Sequence, residues 1–184
     1  MNNIIFVSII FFLLFIIYCF KIIKGNKNNN NIVSENDIQN EINKDQAIIS
    51  YLIDQDLIYI LCITNDNFVI KKKNISNKKI TELISEVIKS VKISGTGKLN
   101  KFDFTNSKKI YDIILKPVEN IILKKNELII IPHKSLLSLP IEILVPNTTK
   151  ATNSFNYSNV DWIGKKFAIS YYPSIYSFYN LKKI

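Results

Sequence analysis

The sequence contains no arginine, only one histidine and only two cysteines. All 24 basic residues are lysine and give a formal net charge of +9. Recognition of phosphates and base edges depends strongly on the planar fork of arginine, and the abundance of Ile, Asn and Lys is typical of an AT-rich genome. We therefore predict no specific nucleic-acid partner. Cys19 and Cys62 lack the paired spacing of a disulfide framework or a zinc site, and no cofactor is predicted.

Charged residues are also absent from residues 4–20, IIFVSIIFFLLFIIYCF. At about 1.5 Å rise per residue, this run approaches the length needed to span a hydrocarbon core, and the lysines after it can reach the headgroups. We predict a transmembrane anchor over residues 1–24. Because Lys21, Lys24 and Lys27 follow the run, the positive-inside rule predicts a single-pass protein with its domain in the cytoplasm. Export by a cleaved signal peptide is the alternative, although the small-x-small cleavage pattern is missing.

Residues 25–45 are polar and of low complexity, with a run of asparagines at their start. Such a segment buries too little apolar surface to offset the entropy lost on ordering. We therefore predict a linker between the membrane and the domain, and the helical spacing of Ile38 and Ile42 favours a short helical turn near its end. The whole chain, with 184 residues of which 47% are hydrophobic, is long enough for one domain with a core, and we assign that domain to residues 46–184.

The first half of the domain alternates apolar runs with polar turns. Three runs separated by Asp- and Asn-rich turns predict an antiparallel meander of strands: AIISYLID, LIYILCIT and FVIKKK. A helix capped by Ser76 or Asn77 is predicted next. Its apolar residues recur at helical spacing and predict one buried face: Ile80, Leu83, Ile84, Val87, Ile88 and Val91.

The second half of the domain is predicted to contain helices and single strands in turn. A helix begins near Asn106 and continues after Pro117. Two apolar runs, residues 128–131 and 167–172, predict strands that are buried on both faces. Ser174 can cap a last helix. This order of elements predicts an α/β sandwich.

Three patterns suggest chemistry, and a simpler structural explanation exists for each. SGTGKL (residues 94–99) has the Gly-Lys of a phosphate-binding loop but lacks two positions of the Walker pattern. Glu82 and Glu86 lie one turn apart on the polar face of the predicted helix. A dyad of His133 and Cys62 is the third pattern, but Cys62 lies inside an apolar strand, where a thiol is usually a core residue. We interpret His133 as a turn residue.

Three segments, in their order and spacing, resemble the CHAT family of caspase-like domains. The segments are IYDIILKPVENII (residues 110–122), LIIIPHKSLLSLPIEIL (residues 128–144) and WIGKKFAISYYPSI (residues 162–175). The middle segment carries the most specific pattern and the last segment adds a Tyr-Pro-Ser step. The residues that match the family motif are Pro132, Leu136, Leu139, Pro140, Glu142, Leu144, Tyr172, Pro173 and Ser174.

The resemblance implies a partial caspase-like α/β sandwich, the N-terminal pseudo-protease part of a CHAT-like domain. In this cysteine peptidase clan the catalytic His-Gly and the catalytic Cys belong to a later part of the domain than the part matched here. No catalytic residue is therefore carried over to this chain. His133 also follows Cys62 in sequence and has no glycine after it, which departs from the family's pattern.

Two hypotheses remain open at this point. In the first, the chain is the N-terminal portion of a membrane-anchored CHAT peptidase whose catalytic half is missing. In the second, it is a complete, non-catalytic scaffold that binds a protein partner at the cytoplasmic face of the membrane. If a missing half normally covers one face of the sheet, the isolated domain should expose an apolar patch and self-associate.

Overall fold

A computed structural model describes residues 33–93, 100–148 and 157–183. The strands are β1 (Gln46–Ile53), β2 (Leu57–Ile63), β3 (Phe68–Asn74), β4 (Glu127–Ile131) and β5 (Ala168–Tyr171). The helices are α1 (Glu35–Asn40), α2 (Asn77–Val91), α3 (Phe104–Ile114), α4 (Glu119–Ile122), α5 (Ile163–Lys166) and α6 (Ile175–Leu181). Short 3-10 helices occupy Lys116–Val118, Lys134–Ser138 and Ile141–Ile143.

The strands form one mixed sheet in the order β3-β2-β1-β4-β5. The β1–β2 and β2–β3 pairs are antiparallel, which confirms the predicted meander. The β1–β4 and β4–β5 pairs are parallel, and helices connect these strands. The predicted α/β class is therefore correct.

One face of the sheet packs against α2 and α3. Alternate residues of β1, including Ile49, Tyr51 and Ile53, point to this face because the side-chain period of a strand is two. Four apolar residues of α2 are buried against them, as the helical spacing predicted: Ile80, Leu83, Ile84 and Val87. Val91, expected on the same stripe, is 49% exposed because the helix ends there.

The opposite face is covered by α1 and α6. Ile38 and Ile42 are only 1% and 4% exposed, and Phe178 of α6 is fully buried beside them. The prediction that residues 25–45 form only a linker is therefore wrong for its second half, and the folded unit begins at or before Val33. This polar segment contains a capping box that starts α1. In it, the Ser34 side chain accepts the Asp37 backbone N–H, and the Asp37 side chain accepts the Ser34 backbone N–H.

The two late strands differ in burial. Four of the five residues of β4 are buried, as predicted for a strand covered on both faces. In β5, however, Ala168 and Tyr171 are exposed and the two residues between them are partly exposed. The prediction that this strand is buried on both faces is wrong, because β5 lies at the edge of the described sheet.

Several expectations concern segments outside the described residues. The apolar run at 4–20, on which the predicted anchor rests, is one of them, and SGTGKL at 94–99 is another. Among the helices that the structure describes, none has the length and apolar character required to cross a membrane.

Candidate functional site

His133 lies where two parallel strands end. Because β1 and β4 are parallel, their carboxyl ends meet at one edge of the sheet, the usual place for ligand sites in α/β folds. The Ile53 N–H donates to Nδ1 of His133 at 3.0 Å. Burial, with a smaller contribution from Lys134, lowers the pKa of His133. A ring nitrogen that accepts a hydrogen bond carries no proton, so His133 is neutral and links the two strand ends.

The turn after His133 contains two further unusual features. Lys134 has a φ of 52°, in the left-handed region that non-glycine residues seldom adopt. The Oγ of Ser135 is buried and has no hydrogen-bond partner. A serine nucleophile requires an adjacent base, and Nδ1 of His133 is already occupied by Ile53. The turn therefore does not contain an assembled Ser–His pair.

The Cys–His dyad considered from the sequence is not assembled either. Cys62 pairs with Ile49 in the β1–β2 register, whereas His133 bonds Ile53. Four residues of strand separate these positions by about 13 Å. Burial also raises the pKa of the Cys62 thiol to about 12, so it is protonated at neutral pH. Cys62 has the environment of a core residue.

The family-motif residues between β4 and α5 divide into buried and turn positions. Leu136, Leu139 and Leu144 are at most 2% exposed and belong to the core beneath α2 and α3. Pro132 follows β4 directly, and Pro140 precedes the 3-10 helix Ile141–Ile143. The leucines anchor this segment, and the prolines end its regular elements.

The motif residues after β5 start the last helix. Ser174 Oγ accepts the Ser177 N–H at 3.0 Å and so caps α6. Tyr172 is partly buried, with its ring 5.5 Å from that of Phe178 in an edge-to-face arrangement. Pro173, which lies between Tyr172 and Ser174 in the sequence, is exposed.

Glu142 joins the motif to β5 through Tyr171. The Tyr171 hydroxyl accepts the Ile141 N–H at 2.9 Å and donates to Glu142 Oε2 at 2.7 Å. Burial, together with the neighbouring Glu142 carboxylate, raises the pKa of Tyr171. Tyr172 belongs to the family motif, whereas no sequence pattern indicates the role of Tyr171, because the partners of Tyr171 are about 30 residues away in the chain.

A cleft of about 330 Å³ lies beside Glu142, between the end of α2, the approach to α3 and the start of α5. Its aromatic walls come from two distant segments: the Trp162 ring lies 5.0 Å from Phe102 and 6.2 Å from Tyr157. The lining residues are Ser90, Val91, Asn100, Phe102, Glu142, Ile143, Tyr157 and Trp162. No local sequence pattern predicts this site, since its lining residues come from segments far apart in the chain.

Comparisons with known proteins add no family assignment. The chain matches no sequence profile of a known protein family and no curated protein. The resemblance to CHAT domains therefore rests on the three segments quoted above. Within residues 33–93, 100–148 and 157–183, no group of three or more His, Cys, Asp or Glu side chains is placed to hold a metal ion.

Proposed function

We propose that the chain supplies the non-catalytic N-terminal half of a membrane-anchored, caspase-like peptidase of the CHAT type, and that β5 receives the half with the catalytic groups. The proposal rests first on the quoted sequence segments. It also agrees with the chemistry of the described residues, where His133 and Cys62 are apart and Cys62 is a buried thiol. The chain would then be a scaffold for catalysis without being an enzyme itself.

The observation that supports the proposal best is that, in the part of the chain that the structure describes, no strand pairs with the outer edge of β5. The Ala168 N–H donates to Asn126 and the Tyr172 N–H donates to Ile130, both towards β4. Successive residues of a parallel strand direct their backbone groups to opposite sides. The backbone groups of Ile169 and Tyr171 therefore point away from the sheet, where a further strand can bond to them.

The other edge of the sheet is protected. Strand β3 carries exposed Lys71, Lys72 and Lys73, and edge lysines are a common device against the addition of strands. Strand β5, with the sequence AISY, carries no charge. The two edges are thus unequal, and β5 is the favourable one for a partner.

The coding DNA downstream of codon 184 gives the first test. A continuation that encodes His-Gly and a later Cys, in frame or after a frameshift, supports the proposal, and an unrelated gene or a long spacer contradicts it. The encoded half should then form a complex with this chain when the two are produced together, and the complex should cleave peptides.

A charge at the β5 edge tests the site of assembly. Ala168→Lys adds a lysine beside the open edge at an exposed position, and we expect it to weaken the complex about tenfold or more. Thr81→Lys adds the same charge on the exposed side of α2 and is the matched control. Equal affinities of the two variants would exclude β5 as the contact.

A second candidate function is a complete, non-catalytic module that binds a partner at the membrane. The coverage of the sheet favours it, because α2 and α3 cover one face and α1 and α6 cover the other, and the described residues leave no open apolar patch on these two faces. A monodisperse monomer with one cooperative unfolding transition favours this candidate over the half-peptidase.

The membrane location remains part of the proposal and has its own test. A reporter fused after Ile184 should be active on the cytoplasmic side if residues 1–24 form a single-pass anchor with the predicted orientation. Reporter activity on the opposite side would favour export by a signal peptide.

A further inference from the structure

The cleft beside Glu142 has a composition that is unusual for this chain. The protein has 24 lysines and a net charge of +9, yet none of the lining residues that the structure describes is a lysine. Its walls are Phe102, Tyr157, Trp162 and two aliphatic side chains, and its charged group is the Glu142 carboxylate. Aromatic walls with one carboxylate attract an organic cation, through the negative faces of the rings and through Coulomb attraction.

The Glu142 carboxylate is held in place and has a free oxygen. Oε2 accepts the Tyr171 hydroxyl at 2.7 Å, and among the described residues nothing bonds Oε1. The backbone around Glu142 is fixed as well, because the Ile163 N–H donates to the Leu144 oxygen at 2.9 Å. A carboxylate positioned in advance loses little entropy when a ligand arrives.

Gly164 allows Glu142 to approach this closely. A Cβ added at Gly164 would lie 2.9 Å from the Glu142 Cβ, closer than side chains tolerate. Glycine at this position of α5 therefore lets the Cβ and Cγ of Glu142 pack against the helix, two residues after Trp162 of the cleft wall.

Two lysines near the cleft, Lys89 and Lys165, have partners of their own. Lys89 Nζ pairs with Glu86 at 2.8 Å, and Lys165 Nζ donates to the Ser158 oxygen at 2.6 Å. More distant lysines are screened, since the Debye length is about 8 Å at physiological ionic strength. Among the lining residues that the structure describes, Glu142 is the one with a carboxylate.

We propose that this cleft is a binding site for a compact organic ammonium ion, held against Trp162 and Tyr157 and paired with Glu142. Its volume, about 330 Å³, lies at the small end of the range for ligand pockets. The proposal does not rest on the peptidase proposal, although Tyr171 of β5 holds the Glu142 carboxylate.

Choline and its neutral isostere 3,3-dimethylbutan-1-ol test the proposal directly, since they share a shape and differ in charge. Trp162 is the single tryptophan of the chain, so its fluorescence in the full chain, kept in a non-ionic maltoside detergent, reports on the cleft. We expect a saturable change with choline at millimolar concentration and at least about tenfold weaker binding of the isostere. Equal binding of both compounds, or no saturable change with choline, overturns the proposal.

Variants identify the groups that bind. Glu142→Gln keeps the shape and an acceptor for Tyr171 but removes the charge, and we expect at least about a tenfold loss of choline affinity by calorimetry. Glu82→Gln removes the same charge from the exposed face of α2 and should bind choline as the wild type does. Unchanged binding by Glu142→Gln, with an unfolding midpoint like that of the control, refutes the assignment.

Trp162→Leu tests the aromatic wall and should also weaken choline binding by about tenfold. If this variant unfolds, Tyr157→Leu is the second probe of the same wall, at a partly exposed residue. Wild-type affinity in whichever variant stays folded would contradict the proposal.

Discussion

Replacement of His133 tests the link between the ends of β1 and β4. In His133→Ala the Ile53 N–H loses its acceptor at a partly buried site. A buried donor without a partner costs about 1–3 kcal/mol, and partial access of water places this case in the lower half of that range. His133→Asn is the matched variant, because its side-chain oxygen can stand near the position of Nδ1. We expect it to recover most of the lost stability.

The pH dependence follows from the same bond. Folding holds the pKa of His133 below its ordinary value of 6.5, because burial and the nearby Lys134 disfavour the cation, and the neutral ring is the form that accepts from Ile53. The unfolded chain therefore takes up the proton first as the pH falls below 6.5. The stabilisation is complete above that value and is lost as the pH falls from there towards the lower pKa of the folded state. His133 is the single histidine of the chain, so no other histidine titrates in this pH range.

Urea unfolding followed by the fluorescence of Trp162 measures both effects. The free-energy gap between wild type and His133→Ala should be about 1–2 kcal/mol near pH 7.5 and should narrow near pH 5.5. A gap that is absent near pH 7.5, or that widens on acidification, would refute the proposed neutral acceptor. So would a His133→Asn variant as unstable as His133→Ala.

Three further predictions concern the core. A fragment of residues 45–184 lacks α1 and exposes one face of the sheet. We expect this fragment to aggregate, as measured by light scattering, while a fragment of residues 33–184 stays dispersed. Equal behaviour of the two fragments would show that α1 does not stabilise the fold. Gly164→Ala should lower the unfolding free energy by about 1–3 kcal/mol in urea through its clash with Glu142, and wild-type stability would contradict that close approach. In the 33–184 fragment, Cys62 should react with Ellman's reagent only on unfolding, because burial raises its pKa to about 12; rapid reaction of the native protein would contradict its burial.

Local patterns in the sequence predicted the elements whose signals are local. The β1–β2 turn follows from Asp54 and Asp56, and α2 follows from the spacing of its apolar residues after Ser76. The docking of α1 does not follow from the polar composition of residues 25–45, which is typical of a linker. Its local signals are the capping box at Ser34 and the helical spacing of Ile38 and Ile42, which are 1% and 4% exposed.

The candidate sites depend on contacts between distant residues, which one sequence does not reveal. His133 and Ile53 are 80 residues apart in the chain. The donor is the backbone N–H of Ile53, which any residue other than proline would also provide, so the residue type does not indicate this bond. The cleft brings together Phe102 and Trp162, which are 60 residues apart in the chain. The burial of β5 depends on how many strands lie beside it in the sheet. The same apolar sequence could form a central strand or an edge strand, so the sequence does not reveal this number.

The contacts of β5 bear on how a partner strand would bind. Main-chain pairing is favourable when the edge is already ordered, since less entropy is then lost on binding. The Tyr171 hydroxyl fixes the end of β5 to Ile141 and Glu142, and the bonds of Ala168 and Tyr172 fix the strand to β4. Tyr171→Phe would remove the first restraint and leave the outward backbone groups in place. Loss of partner affinity in that variant, with the sheet intact, would therefore show that order at the edge matters in addition to its free hydrogen-bonding groups.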